Sequence, residues 1–218
     1  MNVKLLVSLS IIALGFHNSL PAWSEPALAE SSSKAKTEAE VGQKSPNFTL
    51  PNAQGKSESL NDYAGKFVVL EWVNFGCPFV RKHYDGNNMQ RLQDTYTKKG
   101  AVWLSICSSS EGKQGNMSPS DINTKLKEKN AHPSSYLIDA NGKVGKLYGA
   151  KTTPHMYVID PNGILIYKGA IDDKPSVDPG DIGGAKNYVK SALDEAMAGQ
   201  KVTTSQTKAY GCSVKYQQ

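Results

Sequence analysis

Phe67-Val68-Val69-Leu70-Glu71-Trp72-Val73-Asn74-Phe75-Gly76-Cys77-Pro78-Phe79-Val80 carries a short, almost continuous apolar run into a cysteine followed by a proline. A run of this length, bounded by Gly65 and by residues 74–77, suits a central parallel strand buried on both faces. After Pro78 the spacing becomes helical, with Phe79, Val80 and Tyr84, a break at Gly86, and then Met89, Leu92 and Tyr96. Cys77 therefore falls where a buried strand hands over to a helix, at the carboxyl edge of the sheet, where open α/β sheets bind ligands. Pro78 suits a first helical position because the amide it lacks would be unpaired there. The free amides of a helix start favour a thiolate and lower a cysteine pKa. The competing reading of Cys77 is a buried structural thiol.

Outward from this segment the pattern repeats. Ala101-Val102-Trp103-Leu104-Ser105-Ile106-Cys107 reads as a second buried strand. Ser118-Pro119-Ser120-Asp121 opens a helix with a hydroxyl cap, a proline at the first position and an acid in the first turn, and Ile122 and Leu126 give it one apolar face. Tyr136-Leu137-Ile138 reads as a short strand and residues 144–148 as a brief helix. Met156-Tyr157-Val158-Ile159 and Ile164-Leu165-Ile166-Tyr167 flank Asp160-Pro161-Asn162-Gly163, a hairpin pattern. Ala185, Tyr188, Val189, Ala192, Leu193 and Ala196 form a last helical stripe that Gly199 ends. Strand, helix, strand, helix, hairpin, helix implies an α/β fold with a mixed central sheet and helices on both faces.

The chain has 218 residues, 39% apolar and 21% charged, with a formal net charge of +5. That describes one globular domain with extensions. The lysines are dispersed, so the charge supports solubility and argues against nucleic acid as a partner. Lys4 and the apolar run over residues 5–16 read as a signal peptide spanning 1–29, with small residues at Ala22-Trp23-Ser24 or Ala27-Leu28-Ala29 for cleavage. The run is too short to span a bilayer, which takes about 20 residues; an uncleaved anchor is the alternative. The expected location is the periplasm or the exterior, with no stable membrane insertion after cleavage. Residues 30–42 read as a flexible linker, 43–200 as the domain and 201–218 as a polar tail carrying Cys212.

Lys151-Thr152-Thr153-Pro154 immediately precedes the strand beginning at Met156. With the Cys77 segment, Gln43-Lys44-Ser45-Pro46-Asn47-Phe48-Thr49-Leu50 and Tyr167-Lys168-Gly169-Ala170-Ile171-Asp172-Asp173, it resembles the redoxin branch of the thioredoxin superfamily. That branch contains the alkyl hydroperoxide reductase and thiol-specific antioxidant proteins, and the likeness is to a peroxiredoxin-like subgroup. The resemblance implies a thioredoxin-like three-layer sandwich and, at Thr153-Pro154, a cis-proline facing the reactive cysteine. It also implies thiol chemistry without an organic cofactor: a peroxide or disulfide substrate and an external dithiol reductant. Departures matter as much. Val80 stands where a thioredoxin has its second cysteine, and Asn74 and Leu70 stand where a typical peroxiredoxin has threonine or serine and proline. The Thr152-Thr153 pair stands where an arginine is expected. Asn74 is left to donate to the developing charge of a breaking O–O bond, with Arg81 and Lys82 adding positive charge.

Three cysteines remain after the leader: Cys77, Cys107 and Cys212. Either of the last two is a candidate resolving thiol for Cys77, Cys107 from the neighbouring strand end and Cys212 from a tail expected to be mobile; the need for movement favours Cys212. His83 and His155 lack the clustering of a metal site, and Arg81, Lys82 and His83 read as a solvated helix face. Three functions follow: a thiol peroxidase, a disulfide reductase, or a redoxin-fold module that grips extended peptide without turnover.

Overall fold

In the computed structural model, which describes Met1 and residues 38–217, the chain lays down β1 (Thr49–Pro51), β2 (Ser57–Ser59), β3 (Val68–Trp72), α1 (Pro78–Asp85) and α2 (Asn88–Lys98). Next come β4 (Val102–Cys107), α3 (Pro119–Glu128), β5 (Ser135–Ile138), α4 (Lys143–Tyr148), β6 (Thr152–Thr153), β7 (His155–Ile159), β8 (Leu165–Gly169), α5 (Tyr188–Met197) and β9 (Cys212–Ser213). The expected leader lies outside the described residues.

The apolar run of β3 takes the centre of a five-stranded sheet ordered β5-β4-β3-β7-β8. Its neighbour β4 runs parallel and β7 antiparallel, so the sheet is mixed. Alternation sorts the β3 side chains between two cores. Val68, Leu70 and Trp72 join Phe48, Leu50, Leu104, Tyr148 and Tyr157 on one face. Val69, with Val73 just past the strand end, joins Trp103 of β4 and Val80, Tyr84, Met89, Leu92, Val189 and Leu193 from α1, α2 and α5 on the other. This is the three-layer arrangement of a thioredoxin-like fold.

Local signals act as their chemistry dictates. Ser118 caps α3, its hydroxyl accepting from the Asp121 amide, and Pro119 occupies the first turn. Gly86 and Asn87 separate α1 from α2, and Asn87 holds the left-handed φ of 56° that lets the chain restart. The β7–β8 hairpin closes on Asp160, whose carboxylate accepts from the amides of Asn162 and Ile164.

The described residues before β1 and after α5 are fastened to the domain. Ala39 is buried and donates to the Leu147 carbonyl, and the Gly42 amide donates to Leu165. The C-terminal segment follows β8, where the Thr207 amide donates to the Lys168 carbonyl, then pairs with β6 through β9. It ends against the loop after β4, where Ser110 donates to the Lys215 carbonyl, and against the link from α4 to β6, where the Tyr216 hydroxyl donates to the Ala150 carbonyl. The expected mobile tail is thus a docked strap, because its backbone satisfies two exposed strand edges.

Candidate active site

Cys77 is the N-cap residue of α1, with Pro78 in the first turn. Its amide donates to the Asn74 carbonyl and its carbonyl accepts from Arg81, so a tight turn and the first helical bond fix it from both sides. The Thr153-Pro154 peptide is cis, as the resemblance implied. It brings the Thr153 carbonyl 3.0 Å from the Cys77 sulfur, which donates to it as a thiol.

The third partner comes from the strap. β9 pairs antiparallel with β6 so that Cys212 lies opposite Thr153, the residue whose carbonyl accepts from the Cys77 thiol. Gly211 makes the approach possible: its φ is +140°, and a Cβ there would sit 2.1 Å from the Thr153 oxygen. All three cysteines are free thiols, and the strap leaves Cys77 buried while Cys212 is half-exposed.

Charge is distributed unequally over this pair. Burial opposes ionisation of Cys77, but the Cys212 thiol, the Val80 and Cys212 backbone and the Thr153 side chain around the sulfur outweigh it and hold Cys77 below its ordinary range. Among the described residues the buried Thr153 hydroxyl has no hydrogen-bond partner. Burial, then the bond to Cys77 and its charge, pushes Cys212 up to about 11. One sulfur is therefore prepared as nucleophile while the other stays protonated.

Other expected site residues sit differently. The Asn74 amide is committed to the loop after β4: its nitrogen donates to the Gln114 carbonyl at 3.1 Å and its oxygen accepts from Gly76 at 2.9 Å. It is not free to donate toward a substrate held at the sulfur, because residues 74–77 and that loop brace each other. Cys107 directs its thiol to the Gly115 carbonyl at 3.2 Å, with the Tyr136 hydroxyl beside it. His155 shares the opposite sheet face with Tyr157, their rings 4.6 Å apart.

Lys82 and His83 overturn the expectation of a solvated helix face; Arg81 alone is exposed. Both are buried because α1 turns them beneath the segment after β8, onto Asp172. The Lys82 ammonium lies 3.6 Å from the Asp172 carboxylate and donates to the Lys174 carbonyl at 2.7 Å. Asp172 also accepts from the Tyr210 hydroxyl, which lies 3.3 Å from His83 Nε2. Sequence reading missed Asp172 and Tyr210, since nothing local announces a buried carboxylate after a hairpin. It also passed over Glu71, whose place inside a strand expected to be buried was a usable signal. Glu71 accepts from Trp103 Nε1, the Tyr84 hydroxyl and Ser105 Oγ at 2.8, 2.9 and 3.0 Å, and burial still holds its carboxyl above the usual range.

A thioredoxin-like fold with a depressed-pKa cysteine at a helix start, a cis-proline against it and a second thiol on its sulfur defines a thiol oxidoreductase. Comparison with known proteins narrows the class: the sequence signature of the AhpC/TSA family matches residues 41–168, and the chain belongs to that family. Among characterised relatives, the thiol-disulfide oxidoreductase ResA of Geobacillus thermodenitrificans is 28% identical over 129 residues, 59% of this chain and 68% of that protein. Peroxiredoxin Bcp of Bacillus subtilis is 26% identical over 113 residues, 50% of this chain and 63% of that protein. An uncharacterised conserved protein from Geobacillus kaustophilus has a similar solved structure, with a TM-score of 0.71 and 28% identity, covering 82% of this chain and 93% of that one.

Proposed function

We propose that the protein is a two-cysteine thiol peroxidase in which Cys77 is the nucleophile and Cys212 the resolving thiol. The observation that carries this reading is the antiparallel pairing of Cys212 with Thr153 over a buried Cys77. An extended peptide would need the β6 edge to add a strand, and the protein's own strap occupies that edge. A small oxidant does not need it. In the first step the Cys77 thiolate attacks the distal peroxide oxygen, the O–O bond breaks, Cys77 becomes a sulfenic acid, and the departing alkoxide or hydroxide takes a proton from solvent to leave as alcohol or water. In the second, Cys212 attacks that sulfur, an S–S bond forms, and hydroxide leaves as water with the Cys212 proton. An external dithiol then returns both cysteines to thiols by exchange.

A second reading is supported by the similarity to ResA: Cys77 attacks a substrate disulfide and Cys212 resolves the mixed disulfide after the strap is displaced. The commitment of Asn74 to Gln114 favours it, because peroxide cleavage lacks that donor. Both readings include export, carried by Lys4 and the apolar run after it. N-terminal sequencing of the protein recovered outside the cytoplasm tests that part.

The deciding experiment adds stoichiometric hydrogen peroxide to the reduced protein and maps disulfides by mass spectrometry. A Cys77–Cys212 bond, absent from Cys77→Ser and Cys212→Ser, is the expected result. Comparing the rate with that for a protein disulfide separates the two readings. Three unchanged thiols after peroxide would remove the peroxidase reading.

A further inference from the structure

Tyr210 stands two residues before Cys212 and is tied to the helix that follows Cys77. Its ring packs edge-on against Phe79, with centroids 5.8 Å apart, and the Lys82 ammonium lies 5.8 Å above it. Its hydroxyl donates to Asp172 Oδ1, which also accepts from the Lys174 amide at 3.0 Å. Asp172 Oδ2 has no hydrogen-bond partner among the described residues and faces Lys82 at 3.6 Å and His83 at 3.9 Å.

The cluster has a consistent proton arrangement. Burial, partly offset by Asp172, holds His83 down to about 4, so its ring is neutral at physiological pH. Asn88 Nδ2 donates to His83 Nδ1 at 2.9 Å, which puts the ring proton on Nε2, facing the Tyr210 oxygen at 3.3 Å. The phenol therefore accepts from His83 and donates to Asp172. Removing either charge of the buried Lys82–Asp172 pair would leave the other uncompensated, so the acceptor is held in place.

Between this anchor and Cys212 only Gly211 intervenes, and it passes too close to the Thr153 carbonyl to leave slack. We infer that Asp172 and Tyr210 are positioning residues that clamp the strap so that Cys212 reaches the sulfur of Cys77. The inference rests on the proposed resolving role of Cys212. The clamp sets how fast the Cys77 sulfenic acid is captured by the attack that forms the S–S bond and expels water. It also keeps large thiols and disulfides away from Cys77.

Tyr210→Phe removes one hydroxyl from a half-buried ring, and Asp172→Asn weakens the acceptor; the two probe the same contact with different risk to folding. After a stoichiometric peroxide pulse, the Cys77–Cys212 bond should form about tenfold more slowly in each, the effect of losing one hydrogen bond to a charged group. Dimedone should then trap the sulfenic acid on Cys77. A polymer-linked maleimide should label Cys77 of the reduced variants about tenfold faster than wild type, while Cys107 stays protected, a pattern general unfolding does not give. Wild-type rates of bond formation and labelling in both variants would overturn the clamp and leave the peroxidase reading standing. Absence of the bond in the wild-type protein would overturn both.

Discussion

Replacing Gly211 by alanine tests the contact on which the site depends. The new Cβ would lie 2.1 Å from the Thr153 oxygen and 2.7 Å from its carbon, where real Cβ atoms do not come below 3.0 Å, so β9 must withdraw by about 0.9 Å from β6. The φ of +140° adds backbone strain that glycine does not feel; such strain costs about 1–3 kcal/mol. A penalty of about 2 kcal/mol against the docked strap corresponds to about 30-fold in its population at 1.4 kcal/mol per tenfold. Disulfide formation after a peroxide pulse, followed by rapid acid quench and mass analysis, should slow by up to about 30-fold. The melting temperature should change little, because β6 and β9 form a separate two-stranded pair outside the five-stranded sheet. A Gly211→Ala protein that closes the bond at the wild-type rate would show that the strap does not deliver Cys212, and the reasoning would be wrong.

Cys212→Ala removes a thiol that favours the charged form of Cys77, so the Cys77 thiol should ionise at higher pH, as read by thiolate absorbance, and react more slowly at neutral pH; an unmoved titration would count against the coupling. Thr153→Val removes a buried hydroxyl with no hydrogen-bond partner among the described residues, so stability should hold while Cys77 titrates at higher pH; an unmoved titration would show that this side chain does not act on the sulfur. His155 is held down to about 3 by burial first and then by Lys168 and Lys151. Its unfolded form accepts a proton below about pH 6.5. Its contribution at neutral pH is therefore lost as pH falls from that value toward 3, by about 1.4 kcal/mol per pH unit. Urea unfolding of His155→Gln and wild type should converge by about 2 kcal/mol between pH 6.5 and 5; parallel stabilities would contradict the shift.

What the sequence made legible is local chemistry. The apolar run before Cys77, Pro78 in the first turn, the break at Gly86, the Ser118 cap and the Asp160 hairpin each depend on neighbours within a few residues, and each marks an element in the structure. Long-range pairing was not legible. Lys82 and His83 look like surface residues until the segment at Asp172 covers them, and a polar tail looks free until its amides find β6 and β8. Asn74 has the right donor for catalysis, yet Gln114, forty residues away in sequence, takes it. Composition reports what a side chain can do, and only the fold decides which partner reaches it first.

Borrowing the second sulfur from a strap has a thermodynamic consequence. At the position of a thioredoxin's second cysteine stands buried Val80, in the first turn of the helix that Cys77 caps. The partner thiol arrives instead on a segment whose docking can be weakened independently of the helix. The reduced protein can relieve a weakened dock by releasing the strap; a Cys77–Cys212 disulfide cannot, because the bond holds the strap down. Any loss of docking free energy therefore falls more heavily on the oxidised form, and the pair becomes more oxidising. With about 30 mV for each 1.4 kcal/mol in a two-electron couple, Gly211→Ala should raise the reduction potential by up to about 40 mV and Tyr210→Phe should move it in the same direction. Equilibration with a glutathione buffer measures this directly. Equal potentials for wild type and both variants would mean that strap docking and disulfide stability are separate properties, contrary to the shared geometry at Thr153.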